Sequence, residues 1–285
     1  MTTPEIIHPR ALVDPKVTLG PGVRVGAFSI IGPEVTLGAG VEIGHHVVLE
    51  GRVVLEPRVK VGHGAVIGGE PQDLKFKPGT PSGVKIGAET VIREYVTIHR
   101  ATQPEGWTEI GARCLIMALS HIAHDCRVGN GVIIINYAGI TGHCQIGDHA
   151  TIGGYTGIVP FVRVGAYAYM GGCGKIAADL PPFMLADGTP ATVRGVNVIG
   201  LRRAGIAAPD RRALQEAHRL LYRGGLSPGK ALERIRAELP ANPLVEQLIQ
   251  FVASSRRGIC PPPDGWRDSA ASGDATEDAE RERVI

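Results

Sequence analysis

The stretch Thr18-Leu-Gly-Pro-Gly-Val-Arg-Val-Gly-Ala-Phe-Ser-Ile-Ile-Gly-Pro-Glu-Val-Thr-Leu-Gly38 carries an aliphatic residue followed by glycine at every sixth place. The pairs are Leu19-Gly20, Val25-Gly26, Ile31-Gly32 and Leu37-Gly38. Glycine also follows Ile43, Val61 and Ile67, then Ile86, Ile110, Val128, Ile146, Ile152, Val164 and Met170. A hexapeptide period is the signature of a parallel β-helix. Three hexapeptides make one triangular coil, so residues 18 apart in the chain stack on neighbouring coils, at about the 4.8 Å spacing of adjacent strands. The aliphatic residue points inward, and the glycine is expected to permit the turn at each corner.

The register locates an insertion. Pairs from Leu19 to Ile67 are whole sixes apart, as are those from Ile86 to Met170, but the two sets are offset by one residue. A segment that is not a multiple of six therefore enters between them. Residues 69–83, rich in Pro and Gly and free of the repeat, are expected to loop out. An insertion of six is invisible to this test, and Thr102-Gln-Pro-Glu-Gly-Trp107 is a candidate.

Composition fits a narrow solenoid. The chain has 285 residues, 39 of them Gly, and only 5% aromatics. No apolar run of 18 residues occurs, so no transmembrane helix is expected. The opening Met1-Thr-Thr-Pro-Glu-Ile-Ile-His lacks a basic region before an apolar one, so no secretory signal is read and a cytoplasmic location is expected. The five cysteines form no Cys-x-x-Cys pair. Cys114, Cys126 and Cys144 each fall four places after an aliphatic position, which reads as a small inward residue.

The repeat fades after Met170. The β-helix is assigned to residues 1–190, a helical region to 191–260 and a disordered, polar tail to 261–285. Three helices are expected, over 209–226, 227–239 and 243–255, with proline in the first turn of each. Residues 1–200 hold 16 basic and 16 acidic side chains, 201–260 hold 11 and 5, and 261–285 hold 3 and 7. The helical region is the basic part, suited either to plain solvation or to docking an acidic partner. Scarce aromatics and the absence of a nucleic-acid motif speak against nucleic acid.

Four of the ten histidines, His99, His121, His124 and His143, fall in the middle coils. His124 stacks below Gly142 and Asp125 below His143, because each pair is 18 apart. An imidazole beside a glycine amide has the ingredients of acyl transfer: the ring takes a proton from an attacking hydroxyl and the amide donates to the developing oxyanion. Successive strand residues point oppositely, so Asp125 is expected to orient His143 or His121 rather than His124. Two other classes remain open on the residues alone. One is a zinc trimer of the carbonic-anhydrase kind, whose three converging histidines this spacing does not obviously supply. The other is a non-catalytic solenoid that binds a sugar nucleotide or a carrier protein.

Gly69-Glu-Pro-Gln-Asp-Leu-Lys75, Ile92-Arg-Glu94, Val96-Thr-Ile-His-Arg100, His121-Ile-Ala-His-Asp-Cys126, Gly142-His143, Gly171-Gly-Cys173, Pro181-Pro182 and Gly195-Val-Asn197 resemble the acyl-ACP–UDP-N-acetylglucosamine O-acyltransferases. The resemblance runs from about residue 8 to 258. It implies a homotrimer of left-handed β-helices with sites between subunits, although parallel crossovers are normally right-handed. It implies transfer of a 3-hydroxyacyl group from acyl carrier protein to the 3-hydroxyl of UDP-N-acetylglucosamine, opening lipid A biosynthesis, without metal or cofactor. His124 is then the general base and Gly142 the oxyanion donor. Asp73, His99, His121 and His143 match sugar contacts, and Lys75 a loop residue near the site. Asn197 and Arg203 match positions near the nucleotide, and Gly172 a position that limits chain length. The chain departs from the family at Val159-Pro160, where His-Gln is common, at Ala204, where a second arginine is common, and at Leu119-Ser120, where a more polar pair is common. These departures admit a paralogue that acylates another UDP-amino sugar.

Overall fold

The computed structural model describes residues 6–264. Three sheets of eleven, nine and eight strands, sheets 1, 2 and 3, parallel except for the last strand of sheet 1, form the faces of one left-handed prism. The 18-residue stacking holds on all three faces. Ile116 pairs with Ile134 on sheet 1, Ile122 with Ile140 on sheet 2 and Val128 with Ile146 on sheet 3. The aliphatic residues point inward and make one continuous core, in which Ile67, Ile86, Ile116, Ile122 and Ile134 are wholly buried. Cys114, Cys126 and Cys144 fill the small inward position and are buried, unbridged thiols.

Two coils are longer. Val66 pairs with Thr97, an offset of 31, or 18 plus 13. The excess is the loop of residues 70–82, between strands Val66–Gly69 and Gly83–Ile86, and its 13 residues produce the one-residue shift of register. Thr97 pairs with His121, an offset of 24, or 18 plus six. This six-residue excess leaves the stack between strands Thr97–His99 and Trp107–Ile110.

The repeat's glycines act differently from the sequence expectation. The left-handed turn residue lies two places after the glycine and is usually not glycine: Phe28, His46, Glu89, Arg113, His149, Tyr155 and Tyr167 all have φ between 54° and 61°. The repeat glycine is required by the next coil instead. A Cβ at Gly111 would lie 2.6 Å from the carbonyl of Gly129, closer than real side chains approach.

At the far end the chain reverses, and Met184–Asp187 pairs antiparallel with Thr192–Val196. Four helices follow: α1 (Val198–Arg203), α2 (Ala208–Tyr222), α3 (Pro228–Glu238) and α4 (Pro243–Ala253). The last three match the expectation within a few residues at their ends. α1 is additional. Asn197 caps it, its Oδ1 accepting from Gly200 N at 3.0 Å while its Nδ2 donates to Tyr167 O at 2.9 Å. The chain then returns to the prism, where Cys260 N donates to Asp179 O at 2.8 Å and Val193 N to Pro261 O at 2.8 Å. Of the tail expected from 261, residues 265–285 lie outside the described residues. No described helix is long and apolar enough to cross a membrane.

Candidate active site

The corner between sheets 2 and 3 carries the chemistry. His124 and Asp125 occupy it in one coil, Gly142 and His143 in the next, and Pro160 and Phe161 in the one after. Asp125 and His143 are the left-handed turn residues, with φ 59° and 62°. This conformation corrects the expectation for Asp125. At a turn, successive side chains need not point oppositely, and Asp125 Oδ2 lies 2.8 Å from His124 Nδ1. Its contact with His143 Nε2 is longer, at 3.7 Å.

The other edge of the His124 ring lies over Gly142. A Cβ on Gly142 would fall 2.5 Å from His124 Cε1 and 2.7 Å from Nε2. Only glycine lets the ring sit there. The Gly142 N–H makes no hydrogen bond among the described residues. At comparable corners that N–H donates to a side chain one coil on: Ala27 to His45 Nδ1 at 2.9 Å, Ala112 to Asn130 Oδ1 at 2.9 Å, Asn130 to Asp148 Oδ1 at 2.7 Å. One coil beyond Gly142 stands Pro160, which has no acceptor to offer.

Around this pair the imidazoles pack tightly. His143 is edge-on to His124, with centroids 5.1 Å apart, and its other face lies flat on Phe161 at 4.6 Å. On sheet 2, His99 is edge-on to His121 at 4.8 Å, and His121 Nδ1 bonds Thr97 Oγ1 at 2.7 Å. Burial, followed by neighbouring His121, His124 and Arg100, pushes the His99 imidazole down to about 4. Burial and then His124 lower His121 as well. Both rings are therefore held neutral. Burial opposes ionisation of Asp125. Bonds from His124 and Thr102 and the nearby His143 outweigh it, so the carboxyl stays below its ordinary range.

Among the described residues, His124, Asp125 and His143 are the set whose donor atoms, within 4.8 Å of one another, could hold a metal. Two ligands of tetrahedral zinc stand about 3.3 Å apart. The 2.8 Å between His124 Nδ1 and Asp125 Oδ2 is a hydrogen-bond distance.

The sequence-derived candidates divide between regions. His99, His121, His124, Gly142 and His143 come together. The 70–82 loop, carrying Asp73 and Lys75, leaves from Gly69 beside the His99 ring. Arg100 pins its base, donating to Gly68 O at 2.8 Å and Glu70 Oε1 at 3.0 Å. Asp73 caps its own turn through Lys75 N at 2.9 Å. Asn197 is tied to Tyr167 at the corner between sheets 3 and 1, and Arg203 projects from the exposed end of α1. Gly172 lies at the corner between sheets 1 and 2, above Gly154 O. Within one chain these three are not joined to the histidine cluster. Sequence reasoning missed Thr97, Thr102 and Thr108, which bond the site's side chains and backbone. The inserted residues put Thr102 out of simple arithmetic and lengthen the Thr97–His121 offset to 24, whereas Thr108, 17 places before Asp125, lies in a coil of regular length with no chemistry to mark it.

Two family models match the chain: the hexapeptide repeats of bacterial transferases over 108–142, and the second domain of UDP-N-acetylglucosamine O-acyltransferase over 179–260. A curated acyl-[acyl-carrier-protein]–UDP-N-acetylglucosamine O-acyltransferase from Cupriavidus taiwanensis is 57% identical over 264 residues, covering 89% of this chain and 98% of that protein. One from Thermodesulfovibrio yellowstonii is 42% identical, with the same coverage. The chain belongs to the acyl-ACP–UDP-N-acetylglucosamine O-acyltransferase family. Solved members of the family agree. LpxA from Acinetobacter baumannii superposes with a TM-score of 0.86 at 38% identity, over 90% of this chain and 99% of that one. The Francisella novicida UDP-N-acetylglucosamine acyltransferase gives 0.90 at 31%, over 94% and 99%. The chain is thus an acyltransferase by family, and its prism is the family's left-handed β-helix.

Proposed function

We propose that the chain transfers a 3-hydroxyacyl group from acyl carrier protein to the 3-hydroxyl of UDP-N-acetylglucosamine, the opening step of lipid A biosynthesis, and that no metal or cofactor takes part. The observation that carries the mechanism is the His124 ring, anchored through Nδ1 to Asp125 and laid with its Nε2 edge over Gly142. His124 Nε2 takes the proton of the sugar hydroxyl as its oxygen attacks the thioester carbonyl. The Gly142 N–H donates to the oxyanion of the tetrahedral intermediate. The intermediate collapses, the C–S bond breaks, and the imidazolium returns the proton to the leaving thiolate. Asp125 stays ionised and stabilises the imidazolium between these steps. A thioester is already activated, so one base, one oxyanion donor and good positioning suffice.

The reading includes a homotrimer. His124 and its neighbours lie on sheet 2 and its corner with sheet 3, whereas Asn197 lies at the corner between sheets 3 and 1. A second subunit is what would bring them to one cleft. Tyr95, Leu119, Tyr137 and Tyr155 form an exposed apolar ridge at the corner between sheets 1 and 2. Tyr137 stacks on Tyr155 at 4.6 Å. Such a ridge marks a subunit contact. The carrier's docking face is assigned to the groove between Thr192–Val196 and α2, lined by Arg194, Arg212, Arg219 and Arg223. In this reading Asp73, His99, His121 and His143 contact the sugar, Lys75 stands near it, Asn197 and Arg203 meet the nucleotide, and Gly172 bounds the acyl chain.

Val159-Pro160 favours a second reading, a paralogue acting on another UDP-amino sugar, because these apolar residues stand one coil above Gly142 and two above the base. Incubating the purified chain with acyl carrier protein thioesters and a panel of UDP-sugars, read by mass spectrometry, decides between them. Acyl transfer to UDP-N-acetylglucosamine that disappears in His124→Ala is expected. Equal transfer by wild type and variant would end the assignment of the base.

A further inference from the structure

We infer that Thr102, carried by the six-residue insertion, is a positioning residue that fixes the His124 base through Asp125. The inference rests on the proposed roles of His124 and Asp125. Thr102 Oγ1 donates to Asp125 Oδ2 at 2.7 Å, and Thr102 N lies 3.2 Å from each carboxylate oxygen. Oδ2 is the same oxygen that meets His124 Nδ1. At the other end of the insertion, the buried Thr108 takes the Asp125 backbone N–H on its Oγ1 at 2.9 Å. Thr102 thus grips the carboxylate and Thr108 the main chain.

The grip answers a physical need. Asp125 sits at φ 59°, a conformation that persists in a non-glycine residue only when its surroundings enforce it. Its carboxylate can rotate about its own bond to Cβ, and a bond to His124 alone would leave that rotation open. Donors from Thr102 on both oxygens fix the carboxylate plane, and with it the direction in which the imidazole is held.

The insertion is itself anchored, so it can act as a support. Ser82 Oγ donates to Ala101 O at 2.5 Å, and Gly106 N closes the turn onto Gln103 O at 2.9 Å. Arg52 pairs with Glu105 at 2.6 Å and lies over the Trp107 ring at 4.5 Å. An uninterrupted 18-residue coil would have no residue at this place. The longer coil is what brings a second donor to the acid behind the base.

The test is a double-mutant cycle with Thr102→Val and Asp125→Asn, with Thr102→Ala as a second removal should valine overfill the turn, and Thr102→Ser as the conservative control. Removing the hydroxyl is expected to lower kcat about tenfold, the worth of one hydrogen bond to a charged group. KM for the sugar nucleotide should stay within about twofold, since Thr102 acts on the base and not on substrate binding. Thr102→Ser should restore kcat. In the Asp125→Asn background, Thr102→Val should cost nothing further, because both changes act on one contact. The low-field proton resonance of His124 Nδ1–H should be present in wild type and Thr102→Ser and absent in Thr102→Val. Multiplying effects in the double variant, or an unchanged kcat and resonance in Thr102→Val, overturn the inference alone. An Asp125→Asn enzyme as fast as wild type would overturn the dyad, and the inference with it.

Discussion

His124 and Gly142, 18 residues apart, are in contact across two coils: no Cβ fits on Gly142 without entering the His124 ring at 2.5 Å from Cε1. The base and the amide therefore share one constraint. Gly142→Ala keeps the N–H but forces the ring aside. Misplacement of a reacting group by about 1 Å costs on the order of a hundredfold, so kcat should fall by about that factor while the thermal midpoint changes little. Steady-state kinetics and a melting curve on the same preparation check it. An alanine enzyme with wild-type turnover would show that the ring does not work where it lies.

Asp125→Asn tests the other end of the imidazole. An asparagine can present an N–H where the carboxylate accepts, which favours the ring tautomer with its proton on Nε2, the atom that must take one. A loss of about a hundredfold or more in kcat is expected, in the range of general acid–base contributions. Its pH profile should not recover wild-type turnover at any pH, because the defect is in orientation and charge. Kinetics from pH 6 to 9 would show this.

Much of this site could be read from the 18-residue stacking, and its limits are physical. Periodicity placed Gly142 over His124 because both lie in coils of regular length. It misplaced Asp125, since alternation belongs to strands and Asp125 sits in a left-handed turn. It gave the repeat glycines to the corners, whereas tight coil-to-coil approach is what requires them. α1 was missed: it is only six residues long, and its signal was a single capping asparagine, Asn197. Thr102 was out of reach because an insertion of six leaves the register intact while moving the chain off the stack.

His99 predicts a pH dependence of stability. Its folded value, about 4, lies below the ordinary 6.5, so the unfolded chain binds the proton first. The stability tied to its neutral ring is whole above pH 6.5 and drains away as pH falls toward 4. Urea midpoints for wild type should therefore drop over that window more steeply than for His99→Asn. A His99 ring resonance that titrates near its ordinary value would contradict the burial argument.

The aromatic ridge predicts the assembly. Tyr155 is 63% exposed and Tyr95 61%, a large apolar area for a chain to leave in water. Wild type should elute as three copies of the 30.1 kDa chain. Tyr137→Glu with Tyr155→Glu should shift the mass measured by light scattering toward one copy and abolish transfer, since the proposed cleft needs two chains. A monomeric wild type that transfers acyl groups would refute both points.

A buried ion pair helps hold the helices to the prism. Asp179 is 2% exposed, and its carboxylate takes Arg163 N at 2.9 Å, Arg163 Nε at 3.0 Å and Ser255 Oγ at 2.9 Å. The same guanidinium reaches Ser254 Oγ at 3.1 Å and Phe251 O at 3.0 Å, and lies over the Phe251 ring at 4.4 Å. One arginine thus joins the last full coil to the end of α4. Arg163→Ala leaves the acid buried with its cation removed, a change that costs about 3 kcal/mol or more. Losing the pair should cost less, so Arg163→Ala with Asp179→Asn should be more stable than Arg163→Ala alone. Chemical denaturation of the three variants measures this. A single variant as stable as wild type would mean that the helices are held by their apolar contacts and the ion pair is incidental.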